Sequence, residues 1–327
     1  MPAPVRRLVP IVVAVGALAL ALAAPAAADN AGLTPVEPKS PNAEAINDTF
    51  WVLVGVTGVV LLLVEGALIA FLIRYRGRRR PVDAEGPQIH GNTRLEVIWT
   101  VIPVILVALI VGFVFYKLPE VSEFSDEAIA SPDDTALEIE VAGRQFYWEF
   151  RYPDGSVTYD TLVVPVGRTV DVRVTAPESD VIHSFWIPAL GGKIDAIPGQ
   201  VNHTWFRAEE EGTYEGTCGE FCGLLHSAMR MDVRAVPEAT WEAELERLAE
   251  NGQAQFVAAC SKCHNVEGTQ LVGPTLRGNP TLADVRALGA LVRNGGDEMP
   301  PVGHGWSDEQ VRNLVEYTRT LAEGGSA

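Results

Sequence analysis

The chain has 327 residues, enough for two or three domains at roughly 100–200 residues each, and a formal net charge of -17. The acidity lies beyond residue 118, where 34 Asp and Glu side chains stand against 15 Lys and Arg. That balance argues against nucleic acid as a partner, because phosphate binding needs clustered basic residues.

Arg6 and Arg7 precede an apolar run, Leu8 to Ala24, which closes in Pro25-Ala26-Ala27-Ala28-Asp29. A basic start, an apolar middle and small residues at the end predict a signal peptide over residues 1–28, cut after Ala28. An uncleaved anchor is the alternative. Residues 29–49 would then be an exported N-terminal segment. Two further apolar runs, Trp51 to Ile73 and Val97 to Tyr116, each reach the ~20 residues that cross a bilayer. They predict a transmembrane hairpin over residues 50–117. The short connection carries Arg74, Arg76, Arg78, Arg79 and Arg80, and basic loops stay in the cytoplasm. A multi-pass protein of the cell membrane follows, with both termini and the whole C-terminal region on the outer or periplasmic face. Glu65 sits inside the first run, where a carboxylate is costly unless it faces a protein neighbour or water.

From residue 118 to 236 the pattern changes to short alternating stretches such as Leu137-Glu138-Ile139-Glu140-Val141 and Val170-Asp171-Val172-Arg173-Val174, separated by turn signals such as Pro153-Asp154-Gly155. A period of two marks half-buried strands, and several in such a length predict an antiparallel β-sandwich or Greek-key barrel. Cysteine use then points to cofactor chemistry. All four cysteines fall in two tight pairs, Cys218/Cys222 and Cys260/Cys263, beside histidines, whereas a disulfide-stapled domain scatters them. Cys218, Cys222, His226 and Met229, with His183 upstream, form a soft ligand set that favours copper. Two thiolates can bridge two copper ions, each taking one histidine, with Met229 and the Glu220 carbonyl as weak outer ligands. Structural zinc is the main alternative, and a Cys218–Cys222 disulfide a weaker one.

At these residues the chain resembles subunit II of cytochrome c oxidase. Cys218-Gly219-Glu220-Phe221-Cys222-Gly223-Leu224-Leu225-His226-Ser227-Ala228-Met229 looks like the dinuclear copper motif of that family, and the likeness runs from about residue 50 to 236. It implies a cupredoxin-like sandwich, two copper ions and a membrane partner, oxidase subunit I, together with subunit III. By the same resemblance Glu96 lies at the mouth of a proton path into subunit I, and the Glu220 side chain helps hold a magnesium ion at that boundary. Phe146, Tyr147 and Trp148 resemble the family's aromatic strip for incoming electrons. Phe146 stands where a tryptophan is usual, so direct donation by a soluble cytochrome is in question.

Residues 237–327 carry Cys260-Ser261-Lys262-Cys263-His264, the C-x-x-C-H signature of c-type haem attachment. Both thiols can add to haem vinyl groups while His264 reaches the iron. A redox dithiol is the alternative, but it leaves His264 unexplained. The region resembles a class I cytochrome c. Trp241 to Phe256 reads as its first helix, and Pro274 as the carbonyl that orients His264. Ser307 to Leu321 is the closing helix. Met299 is the sixth ligand, with His304 as the competitor; a Met/His pair raises the haem potential.

The expected architecture is therefore multidomain: a two-helix transmembrane hairpin, an all-β cupredoxin-like sandwich and an all-α cytochrome c domain. The expected function is that of subunit II of a respiratory haem-copper oxidase. It would accept electrons at haem c from an upstream cytochrome or a quinol-cytochrome reductase. It would relay them through dinuclear copper to subunit I, where oxygen is reduced and protons are pumped. A copper-delivery membrane protein is the reading from another class; it would purify without a large haem-bearing partner.

Overall fold

A computed structural model of the chain describes residues 34–75, 86, 88, 90–122, 136–249, 251–296 and 299–322. The expected signal peptide and the arginines from Arg76 to Arg80 lie outside these residues.

Helices α1 (Pro41–Tyr75) and α2 (Thr93–Ser122) are 35 and 30 residues long, more than a bilayer requires. Their Leu, Val and Ile side chains are largely exposed, as lipid-facing helices demand. Helix α1 begins ten residues before Trp51. Its first turn is buried: the Asn42 side-chain amide donates to the Trp205 carbonyl at 2.5 Å, and Lys39 N–H donates to the Ala189 carbonyl at 2.7 Å. The end of the segment expected over residues 29–49 is thus helical and fixed to the next domain. At the start of α2, Leu95 N–H donates to Asn92 Oδ1 and Asn92 N–H donates to Glu96 Oε1 at 3.2 Å. Glu96 therefore closes a reciprocal cap on its own helix.

The sandwich is two five-stranded sheets. One has the order β3 (Val157–Tyr159), β2 (Tyr147–Arg151), β1 (Leu137–Arg144), β5 (Val170–Thr175), β8 (Asn202–Phe206). The other runs β4 (Thr161–Pro165), β10 (Arg230–Val236), β9 (Gly212–Cys218), β6 (His183–Trp186), β7 (Ile194–Ala196). Alternation along β1 buries Leu137, Ile139 and Val141 and exposes Glu138 and Glu140. The sheets are mixed rather than purely antiparallel: β1 pairs with β5, and β4 with β10, in parallel. Periodicity shows which residues point inward but says nothing of strand direction. Trp148, Phe150, Phe185, Met231 and Val233 fill the space between the sheets.

The helix expected from Trp241 to Phe256 is two helices, α3 (Glu238–Leu248) and α4 (Gly252–Ala259). Ala249 is extended, and the Asn251 side chain caps α4 by accepting from Gln253 N–H. Helix α3 packs on the sandwich: Leu245 joins its core, and Trp241 Nε1 donates to the Val163 carbonyl at 3.1 Å. Helices α4, α5 (Val285–Asn294) and α6 (Asp308–Ala322) enclose a second core of Phe256, Leu288, Val292, Leu314 and Leu321. Gly252 allows α4 to cross α6 closely, since a β-carbon there would stand 2.3 Å from the Asn313 carbonyl oxygen.

Candidate functional site

Pairing of β6 with β9 sets Phe185 opposite Cys218 and so brings His183, at the start of β6, beside Cys218 at the end of β9. The loop from Gly219 to Met229 then folds back over this point. Cys218 N–H donates to the Met229 carbonyl at 3.0 Å, closing the loop at its base. The two sulfurs lie 3.9 Å apart and all four cysteines are free thiols, so Cys218 and Cys222 are not joined. His183 Nδ1 is 4.0 Å from Cys218 Sγ, and His226 Nδ1 is 3.7 Å from Cys222 Sγ. Met229 Sδ is 3.7 Å from Cys222 Sγ, and the Glu220 carbonyl is 3.2 Å from Cys218 Sγ. The five side chains read as copper ligands and the Glu220 carbonyl thus come together at one point, while Glu220 itself is exposed.

Electrostatics follow from this crowding. A hydrogen bond from Cys222 holds the Cys218 thiol far below the ordinary thiol range, and the same contact, with burial, holds Cys222 far above it. Metal ligation needs both thiols deprotonated. Asp180 was not singled out in the sequence, yet its Oδ1 accepts from His183 Nε2 at 3.1 Å. That bond fixes the tautomer and aims Nδ1 at the sulfurs. Burial would lower the His183 pKa, but Asp180 and Cys218 together raise it. A carboxylate three residues before the histidine was the one available signal.

In the helical domain, His264 Nδ1 donates to the Pro274 carbonyl at 2.8 Å, which leaves Nε2 free. Gly273 makes this approach feasible: a β-carbon there would stand 2.3 Å from His264 Cε1. Cys260 is buried, which pushes its thiol up to about 12, and Cys263 is half-buried. One cavity of about 250 Å³ is lined by Cys260, His264, Pro274, Leu276 and Met299. A second, of about 670 Å³, is lined by Cys263, His264 and Met299 on one side and by Gln145, Phe146, Leu224 and Leu225 on the other. His304, the competing ligand, lines neither cavity and is exposed.

The second cavity lies where the two domains meet. Gln145 and Phe146 form the tip of the β1–β2 hairpin, between Arg144 and Tyr147. Gln145 Nε2 donates to the Cys222 carbonyl at 2.6 Å. Gly223, at φ +129, is packed so closely that a β-carbon would stand 3.2 Å from the Phe146 ring. The aromatic strip divides among three environments. Phe146 lines the cavity, Tyr147 is fully buried in the helical domain's core, and Trp148 is fully buried in the sandwich, its ring 6.1 Å from that of His183. Polar contacts seal the remaining interface. Tyr147 Oη donates to the Val302 carbonyl, and Trp306 Nε1 donates to Glu149 Oε2 at 3.1 Å. Arg144 pairs with Glu149 at 3.0 Å and donates to the His304 carbonyl at 2.7 Å.

The family model described as cytochrome C oxidase subunit II, transmembrane domain, matches residues 28–117, and that described as its periplasmic domain matches residues 157–236. A model described as cytochrome C oxidase, cbb3-type, subunit III matches residues 247–317. Cytochrome c oxidase subunit 2 of Alkalihalophilus pseudofirmus is 36% identical over 323 residues, covering 88% of this chain and 91% of that protein. Its counterpart in a Bacillus species is 30% identical over 288 residues, covering 76% and 80%. The crystal structure of the periplasmic domain of subunit II of cytochrome oxidase from Bradyrhizobium japonicum is 36% identical. It covers 34% of this chain and 92% of its own, with a TM-score of 0.33. The chain belongs to the cytochrome c oxidase subunit II family, a component of a haem-copper oxidase in the membrane, and carries a cytochrome c domain at its C-terminal end.

Proposed function

We propose that electrons enter this chain at a covalently held haem c, pass to a dinuclear copper centre and leave for subunit I, where oxygen is reduced and protons are pumped. The observation that carries the copper reading is the pairing of ligands. Each imidazole approaches a different sulfur, and the ligand atoms of His183, Cys218 and Cys222 lie within 4.8 Å of one another in a group that does not include His226. A single tetrahedral zinc, with Zn–S near 2.3 Å and Zn–N near 2.0 Å, would draw all four ligand atoms within about 4 Å of each other. Cys218 and Cys222 would together hold a pair of coppers, with His183 and His226 each supplying a nitrogen beside a different sulfur, which suits the wider spread. Met229 and the Glu220 carbonyl would complete the two ends. No zinc role accounts for the buried Met229 thioether.

The helical domain fits haem. Cys260 and Cys263 lie at one edge of a divided cavity, and His264 and Met299 line both parts. Bound haem and copper supply one-electron chemistry, and the chain's own residues hold, orient and insulate them. Pro274 orients His264, Asp180 orients His183, and the hairpin tip of Gln145 and Phe146 bridges the cavity to Cys222 and Gly223. Fusion by a loose tether would raise the donor's effective concentration to the millimolar range. The packed helix α3 and the sealed interface favour a docked donor instead.

The proposed domains are a copper domain at 118–236 and a cytochrome domain at 237–327, both on the outer face with the termini. The start of α1 and the strands that follow α2 belong to one packed unit, which supports that orientation. Glu220 remains the proposed magnesium ligand at the subunit I boundary and Glu96 the proposed proton-path residue, with subunit III and an upstream cytochrome or reductase as further partners. The test is metal analysis with electron paramagnetic resonance on the full-length detergent-purified chain. About two coppers per haem, with one spin shared by two copper nuclei, is the expected result. One copper with a single-nucleus pattern, or zinc, would overturn the path through Cys218 and Cys222.

A further inference from the structure

Lys262 lies between the two haem-attaching cysteines, in a segment that has no need of a buried cation. Its ammonium nevertheless turns into the sandwich, with 16% of the side chain exposed. It donates to Asp160 Oδ2 at 2.5 Å and to the Phe146 carbonyl at 2.8 Å. Asp160 is itself held in place: its side chain is 21% exposed, and Oδ1 accepts from Trp148 N–H at 2.8 Å. Asp160 sits at φ +53, left-handed backbone that costs a non-glycine residue energy and persists where the surroundings require it. One carboxylate thus links the second strand of the hairpin to the haem-attachment segment, and one lysine links that segment to the residue at the hairpin tip.

The other interdomain contacts hold different parts of the cytochrome domain. Tyr147, Glu149 and Arg144 meet the segment from Val302 to Trp306, and Tyr159 Oη accepts from Gln255 and Gln310. Lys262 acts where the haem would be attached and where Phe146 closes the shared cavity.

We propose that Lys262, clamped by Asp160 and the Phe146 carbonyl, is a positioning residue for electron transfer, holding the haem-attachment segment at a fixed distance from the copper loop. This rests on the haem-to-copper path proposed above. The clamp makes the cytochrome domain a docked donor and covers the Phe146 surface that a separate cytochrome would need. Removing the clamp lets the attachment segment move away from the hairpin tip, and small displacements of reacting centres are costly in rate.

The test uses the full-length chain, purified in detergent and loaded with haem and copper. A photosensitiser injects one electron at the haem, and its equilibration with copper is followed by absorbance. Lys262→Met is expected to slow equilibration about tenfold or more, with both midpoint potentials and the copper resonance signal unchanged. Lys262→Arg is expected to restore most of the rate, and Asp160→Asn to slow it in the same direction. Wild-type rates in both Lys262→Met and Asp160→Asn, or a slowing fully accounted for by a shifted haem potential, would overturn the clamp. No equilibration in the unmodified chain would overturn the underlying path, and the clamp with it.

Discussion

The side-chain amide of Gln145 donates a 2.6 Å hydrogen bond to the main-chain carbonyl of Cys222. One residue thereby touches the loop that carries the sulfur ligands and lines the cavity that reaches His264 and Met299. Replacing Gln145 by alanine should cost about 1 kcal/mol of stability, the net worth of one hydrogen bond. It should also shift the copper resonance signal and slow haem-to-copper transfer. Thermal unfolding and resonance spectra of the variant check both; an unaltered copper signal would remove Gln145 from the bridge.

The two sulfurs should differ from the thioether in consequence. Cys222→Ser should abolish the shared-spin copper signal, because a bridge needs both thiolates. Met229→Leu conserves volume at a fully buried position. It should retain both coppers while altering their potential. Copper content and resonance spectra of the pair separate the roles.

Gly273→Ala should damage the haem site without touching the copper loop. Its β-carbon would fall 2.3 Å from His264 Cε1, so either the imidazole or the loop bearing Pro274 must move, at roughly 1–3 kcal/mol for overpacking. Haem content and the absorption of the Met-ligated ferric form should fall, with the copper signal intact.

Arg144 and Glu149 form a buried ion pair, with 10% and 5% of their side chains exposed. Glu149→Gln leaves the arginine charge uncompensated, and breaking such a pair costs about 3–5 kcal/mol. At roughly 2–4 °C per kcal/mol for a unit of this size, the melting midpoint of the cytochrome–sandwich unit should drop by about 10 °C. Glu149 also accepts from Trp306 Nε1, so the Trp306 fluorescence should change in the same variant.

Local chemistry was legible because its parts are close in sequence. Cys218 to Met229 fit in one loop, and Cys260 to His264 in one turn, so spacing alone brought those ligands together. The membrane helices were equally plain, though α1 begins ten residues earlier than its apolar run. Apolarity marks what touches lipid, whereas Asn42 and Lys39 are fixed by hydrogen bonds to Trp205 and Ala189, far along the chain. The break at Asn251 is a different case: the signal was present as an Asn-Gly pair, and the apolar spacing from Trp241 to Phe256 concealed it.

By itself, then, the sequence determined the element types, the two ligand-bearing segments and the family. Each of these is written in runs of a few residues with a characteristic period or spacing. Tertiary structure alone decided that Tyr147 enters the cytochrome core, that Gln145 reaches Cys222 and that Lys262 is clamped by Asp160. Those partners converge only when β1 is paired with β2 in one sheet, β9 is paired with β6 in the other, and the helical domain is docked on them. A side chain's chemistry is local, but the buried surface that selects its partner is assembled from distant parts of the chain.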